Sequence, residues 1–114
     1  MTARGAPLLL LAATAPLCAA ALARAPLSGE RGRAVYVAKC ADCHGRGFEG
    51  VDAVPALTGA RFAAKWRDRP EALYDKIRRS MPQDDPGILT PAEAADVTAL
   101  ILATNHLSPN ARRK

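Results

Sequence analysis

The chain has 114 residues, of which 49% are hydrophobic and only 4% aromatic, and its formal net charge is +5. That length admits one small domain, and a core so poor in aromatic area is marginal without a staple such as a disulfide, a metal or a bound cofactor. The basic residues are scattered rather than gathered into one stripe, which argues against a nucleic-acid partner.

The first segment reads as a secretory signal. Met1 and Arg4 give a short positive start, a mostly apolar run follows from Pro7 to Ala23, and Ala21-Leu22-Ala23 is a small-residue cleavage site. The run is broken by Pro16 and is shorter than the ~20 residues needed to span a bilayer, so cleavage is expected rather than anchoring. Cys18 falls inside this segment, and Ala15-Pro16-Leu17 lacks the small residue that precedes a lipoprotein cysteine. With residues 1–23 removed the net charge becomes +4, and Cys40 and Cys43 are the only cysteines left, so no structural disulfide is expected. The expected organisation is a signal at 1–23, a linker at 24–29, the domain at 30–107 and a basic tail at 108–114.

The first helix is expected from Glu30 to about Lys39. Gly32 and Tyr36 lie four residues apart and share a face. Glycine costs ~1 kcal/mol against alanine within a helix, so Gly32 suggests a close helix crossing; a frayed first turn is the alternative. Gly45, Gly47, Gly50, Pro55 and Gly59 punctuate a long loop. A short helix follows at Arg61–Asp68. Pro70 can open the next, where Leu73, Tyr74 and Ile77 have helical spacing. Pro82, Pro86 and Gly87 mark a second loop. Thr90, Pro91 and Glu93 then form a capping box ahead of Val97, Leu100, Ile101 and Thr104, with Asn105 as the stop. No strand alternation and no repeat is present. The fold class is all-α, three to five helices with loops too long for so small a domain unless a ligand supports them.

The chemistry is concentrated in Cys40-Ala41-Asp42-Cys43-His44, a C-x-x-C-H pattern. Two thiols at this spacing can each add to one vinyl group of a single porphyrin, and the adjacent histidine can bind its iron. A structural zinc site needs about four ligands, and His106 is the only other histidine in the chain. A thiol-redox pair would want a βαβ setting, which is missing. One covalent haem c is therefore the expected cofactor. For the iron's sixth position the candidates are Met81, a soft thioether between two expected helices, and His106 after the last helix. Met81 as a mere gap-filler remains open.

These features together resemble the class I cytochromes c over about Gly29 to Asn105. The carrying residues are Gly32 and Tyr36, Cys40 through Gly45, Val54-Pro55-Ala56-Leu57, Ser80-Met81-Pro82 and the helix from Thr90. More narrowly, Phe62, Trp66, Leu73, Ile77 and Met81-Pro82 are similar to the small cytochromes c that accompany periplasmic quinoprotein dehydrogenases. The resemblance implies Cys40 and Cys43 as haem attachment points and His44 and Met81 as axial ligands. It implies that the Pro55 carbonyl orients the His44 ring, and that Leu57, Trp66 and Tyr36 support the pocket. It leaves Trp66 either bonded to a haem propionate or packed in the core, and Arg46 either propionate-bound or solvated.

The function so implied is a periplasmic one-electron carrier rather than an enzyme. It would accept electrons from a dehydrogenase and pass them to a terminal oxidase or another cytochrome, with membrane contact only if the signal stays uncleaved. The alternatives are a membrane-tethered haem subunit of a dehydrogenase complex, an open-site haem sensor or enzyme if Met81 is off the iron, and a haemless thiol oxidoreductase. Charge along the chain is uneven, with seven basic residues between Arg61 and Arg79 and only acids from Ser80 to Asp96. That pattern is either two solvated faces or a dipolar surface that orients partners.

Overall fold

The computed structural model describes residues 1–13 and 27–110. Cys18, the expected cleavage site at Ala21–Ala23 and the Arg112-Arg113-Lys114 end lie outside the described residues. Five helices follow in chain order: α1 (Ser28–Lys39), α2 (Ala41–His44), α3 (Ala60–Trp66), α4 (Pro70–Ser80) and α5 (Pro91–Thr104). Among the described residues extended pairing is limited to one isolated bridge, Val51 to Val54. None of their helices is long and apolar enough to cross a membrane.

Helix α1 starts two residues before the expected Glu30, inside the expected linker. The cause is local: the Glu30 carboxylate accepts the Leu27 N–H at 2.8 Å, closing the first turn around Ser28 and Gly29. At the other end of the chain the capping box forms as the sequence indicates. Thr90 Oγ1 accepts the Glu93 N–H at 3.1 Å, and Glu93 accepts the Thr90 N–H at 2.8 Å.

Helices α1 and α5 cross at Gly32. A Cβ there would stand 2.9 Å from the Asp96 carbonyl carbon and 3.1 Å from Leu100 Cβ, so only glycine lets the two backbones come this close. Arg31 forks onto Asp96 beside the crossing through Nε at 2.8 Å and Nη2 at 3.2 Å. This half-exposed pair fixes register more than it adds stability. The core is built on α5: Ala94, Val97, Ile101 and Leu102 are buried, and Tyr36 from α1, Phe62 from α3, Leu73 and Ile77 from α4 close over them. The buried Thr98 hydroxyl bonds the Ala94 carbonyl at 2.6 Å, so no polar atom is stranded in this core.

The expected helix at 61–68 is Ala60–Trp66, and Pro70 occupies the first turn of α4. Arg78, Arg79 and Lys76 crowd the C-terminal half of α4, where the helix dipole favours positive charge.

Candidate functional site

The C-x-x-C-H motif forms its own single turn. Cys40 ends α1 and opens α2, where the Cys43 and His44 N–H groups reach back to the Cys40 carbonyl at 3.2 and 2.9 Å. This turn puts Cys40, Cys43 and His44 on the wall of one cavity of about 910 Å³. For an 84-residue described body that is a large hollow, at the upper end of ordinary ligand sites. Leu57, Phe62, Leu73, Ile77, Val97 and Ile101 make its apolar walls.

The loop after the motif is tied down by its own backbone. Phe48 N–H donates to the Gly45 carbonyl at 3.3 Å, Gly50 to His44 at 2.7 Å, Val54 to Val51 at 2.8 Å and Leu57 to Phe48 at 2.8 Å. The outcome is a carbonyl, that of Pro55, 2.9 Å from His44 Nδ1. A carbonyl can only accept, so Nδ1 carries the proton and Nε2 keeps its lone pair for a metal. This is the arrangement in which a partner on one ring nitrogen orients the other and raises its basicity.

Another part of the wall comes from the end of α4, which stops at Ser80 with the chain turning extended at Met81. Met81 is half-buried, and it lines the cavity together with Pro82. An imidazole nitrogen and a thioether sulfur, 37 positions apart in sequence, thus border the same apolar space. His106, the competing candidate, is exposed and is not part of the cavity wall. Trp66 is on the wall, half-buried, with Lys65 Nζ 5.0 Å and Arg69 Cζ 5.7 Å from its ring. Arg46 is exposed and off the wall.

Tyr36 takes a different place from the other expected support residues. It is 1% exposed and does not line the cavity. It stands behind the motif, where its hydroxyl donates to the Gly45 carbonyl at 2.6 Å and its ring packs on Phe48, centroids 4.1 Å apart. The reason is the Gly32 crossing, which draws that face of α1 toward α5 rather than toward the cavity. Burial pushes the Tyr36 phenol up to about 12, with the nearby Cys40 and Glu49 charges acting in the same direction.

Two residues of the site escape sequence reasoning. Phe48 is buried with a positive φ of 65°, and its carbonyl accepts from Leu57. A lone aromatic inside a glycine-rich loop was the available signal. Asn105 reads as a helix stop and is one, but its Nδ2 also donates to the carbonyls of Leu57 and Ile101 at 2.8 Å each. It thereby ties the end of α5 to the loop that carries Pro55.

The residues fit a haem c. They supply two thiols at the lip, nitrogen and sulfur donors on the wall, and apolar side chains around them. Lys39, Arg61, Lys65 and Lys76 border the cavity and no Asp or Glu does, which suits a group bearing two carboxylates. Burial pushes the Cys40 thiol up to about 11, with the nearby Cys43 acting in the same direction, which disfavours Cys40 as an attacking thiolate. Among the described residues no cluster of three or more His, Cys, Asp or Glu could hold a bare metal ion.

Comparison with known proteins agrees. The family model described as cytochrome c oxidase, cbb3-type, subunit III matches residues 28–101. Among solved structures, the sulfane dehydrogenase SoxCD from Paracoccus pantotrophus is similar, with a TM-score of 0.64 and 28% identity. That match covers 70% of this chain and 44% of the SoxCD chain, so this chain spans less than half the length of the protein it resembles. No curated protein matches.

Proposed function

From the premise that this chain belongs to the cbb3-type cytochrome c oxidase subunit III family, a monohaem class I cytochrome c with one covalent haem c, we propose that it is a periplasmic one-electron carrier serving a dehydrogenase. The observation that carries the reading is one apolar cavity bordered by Cys40, Cys43, His44 and Met81 together.

The haem supplies a one-electron iron couple. Cys40 and Cys43 would hold it by thioether bonds at the lip. His44 would bind through Nε2, with Pro55 keeping the ring in one orientation and one tautomer. Met81 would bind from the α4 side, and its soft sulfur favours the reduced state. Kept through both oxidation states, His44 and Met81 would limit reorganisation and would leave no open position for a substrate. Leu57, Phe62, Leu73 and Ile77 exclude water. The cations at the cavity edge favour a partner whose docking face carries carboxylates, in a weak and salt-sensitive encounter. In this reading residues 1–23 are the export signal and 30–107 the haem domain.

The experiment is a potentiometric titration of the mature protein with intact-mass analysis. A mass increased by one haem, a reversible one-electron couple and no carbon monoxide binding by the reduced protein are expected. Uptake of carbon monoxide at neutral pH would sink the carrier reading in favour of an open-site haem sensor or enzyme.

A second reading, a haem subunit held by a dehydrogenase, draws on the likeness to SoxCD. Purification from the native host separates the two: a carrier elutes alone, a subunit with its dehydrogenase.

A further inference from the structure

His44 is held at two points, one bonded by Gly50 and the other on a segment packed against Gly50. The Gly50 N–H donates to the His44 carbonyl at 2.7 Å, fixing the main chain at the end of the motif turn. Four residues later the chain returns, paired through the Val51–Val54 bridge, and the Pro55 carbonyl reaches the His44 ring at 2.9 Å. Between these two anchors the backbone of Gly50 lies directly against the returning segment. A Cβ at Gly50 would stand 2.6 Å from the Val54 carbonyl oxygen, 2.8 Å from the Ala56 nitrogen and 3.0 Å from the Pro55 carbonyl carbon. All three are backbone atoms, which cannot swing aside as a flexible side chain can. Gly50 also has a φ of +79°, a conformation that side chains rarely adopt.

We infer that Gly50 is a positioning residue for the His44 ring: by letting the 54–56 backbone seat against it, it sets the distance between the Pro55 carbonyl and Nδ1. The inference rests on the proposed role of His44 as an iron ligand. Any side chain at position 50 must push the segment 54–56 outward and carry the Pro55 carbonyl away from the ring. A weaker hydrogen bond at Nδ1 makes the imidazole a poorer donor at Nε2, and a poorer donor favours reduced iron. The midpoint potential therefore rises.

Gly87 provides the control. It has nearly the same φ, +83°, and a Cβ there would meet nothing within 4 Å. Gly87→Ala thus imposes the same backbone strain without the encroachment. In the haem-loaded full chain, Gly50→Ala is expected to raise the ferrous-to-ferric ratio at a fixed potential by roughly tenfold, a shift of about 59 mV, while Gly87→Ala leaves it within experimental error. Equal shifts in both variants, or none in Gly50→Ala, would overturn the inference.

Should Gly50→Ala fail to accumulate as a folded protein, hydrogen exchange on the reduced wild type decides instead. The His44 Nδ1 proton and the Gly50 amide proton are expected to exchange through one shared opening, with the same dependence on denaturant. A ring proton that exchanges while the Gly50 amide stays protected would show that the anchors are independent. Failure of the underlying reading is distinguishable, because a wild type without an iron–histidine bond shows that directly in its resonance Raman and NMR spectra.

Discussion

The two loops that border the cavity are built differently. The 45–59 loop on the His44 side is knitted by five backbone hydrogen bonds among its residues and the motif, and it is clamped from outside by Tyr36 at Gly45 and by Asn105 at Leu57. The 81–90 loop on the Met81 side is anchored at its ends, by the Met81 N–H on the Ile77 carbonyl at 3.2 Å and by the Thr90 capping box, and between them it has two turn bonds, Asp85 to Pro82 at 3.0 Å and Ile88 to Asp85 at 3.4 Å, and a long contact from Arg78 to the Gly87 carbonyl at 3.4 Å. Leu89 is buried, but Pro86, Gly87 and Ile88 are exposed. If His44 and Met81 bind the iron as proposed, the nitrogen donor is mounted on a more rigid frame than the sulfur donor. The two ligands should part from the iron at different costs, with the sulfur side yielding first.

The sharpest way to break this contrast is at Met81 itself. Met81→Ala should lower the midpoint potential by on the order of 100 mV or more and allow carbon monoxide to bind, while the haem stays attached and the helix content stays unchanged. Potentiometry with circular dichroism checks it. A large loss of helix would mean that the Met81 side is as integral to the fold as the other.

Next in size is the clamp behind the motif. The folded Tyr36 phenol has its pKa raised from 10.0 to about 12, so the stability it contributes is fully present below pH 10 and is lost as pH rises from 10 to 12. Wild type should lose roughly 2 kcal/mol over that window. Tyr36→Phe should lose little there, while starting about 1 kcal/mol less stable at neutral pH for want of the bond to Gly45. Urea unfolding at pH 7 and at pH 11 separates the two effects.

How much of this could be read from sequence follows the same divide. The motif turn, the α5 capping box, Pro70 at the start of α4 and Met81 in a loop are all signalled by residues within a few positions of one another. The Gly32 crossing is legible too, because an unfavourable glycine in a helix needs a packing reason. The frame around His44 is not. Its ties join backbone atoms, or a side chain to a backbone 48 positions away in the case of Asn105 and Leu57, and backbone atoms carry no residue signature. Tyr36 illustrates the limit. The family resemblance marks it as part of the site, but which side of the motif it supports depends on where α1 meets α5.

Asn105→Ala tests one of those long-range ties. Losing both donations should cost about 1 kcal/mol and speed exchange of amides in the 45–59 loop more than in the 81–90 loop. Equal acceleration in both loops would erase the contrast. The smallest effect is expected at Arg78→Ala, which removes only the 3.4 Å contact to Gly87 and should change stability by less than ~0.5 kcal/mol in the same unfolding assay.

The most direct test of the account is the absorption spectrum of the oxidised mature protein and of Met81→Ala. The account predicts a covalently held haem in both, with the weak sulfur-to-iron band at the red edge of the spectrum present in the wild type and lost in the variant. A wild type without that band, or a variant that keeps it, would contradict the proposal that Met81 binds the iron alongside His44.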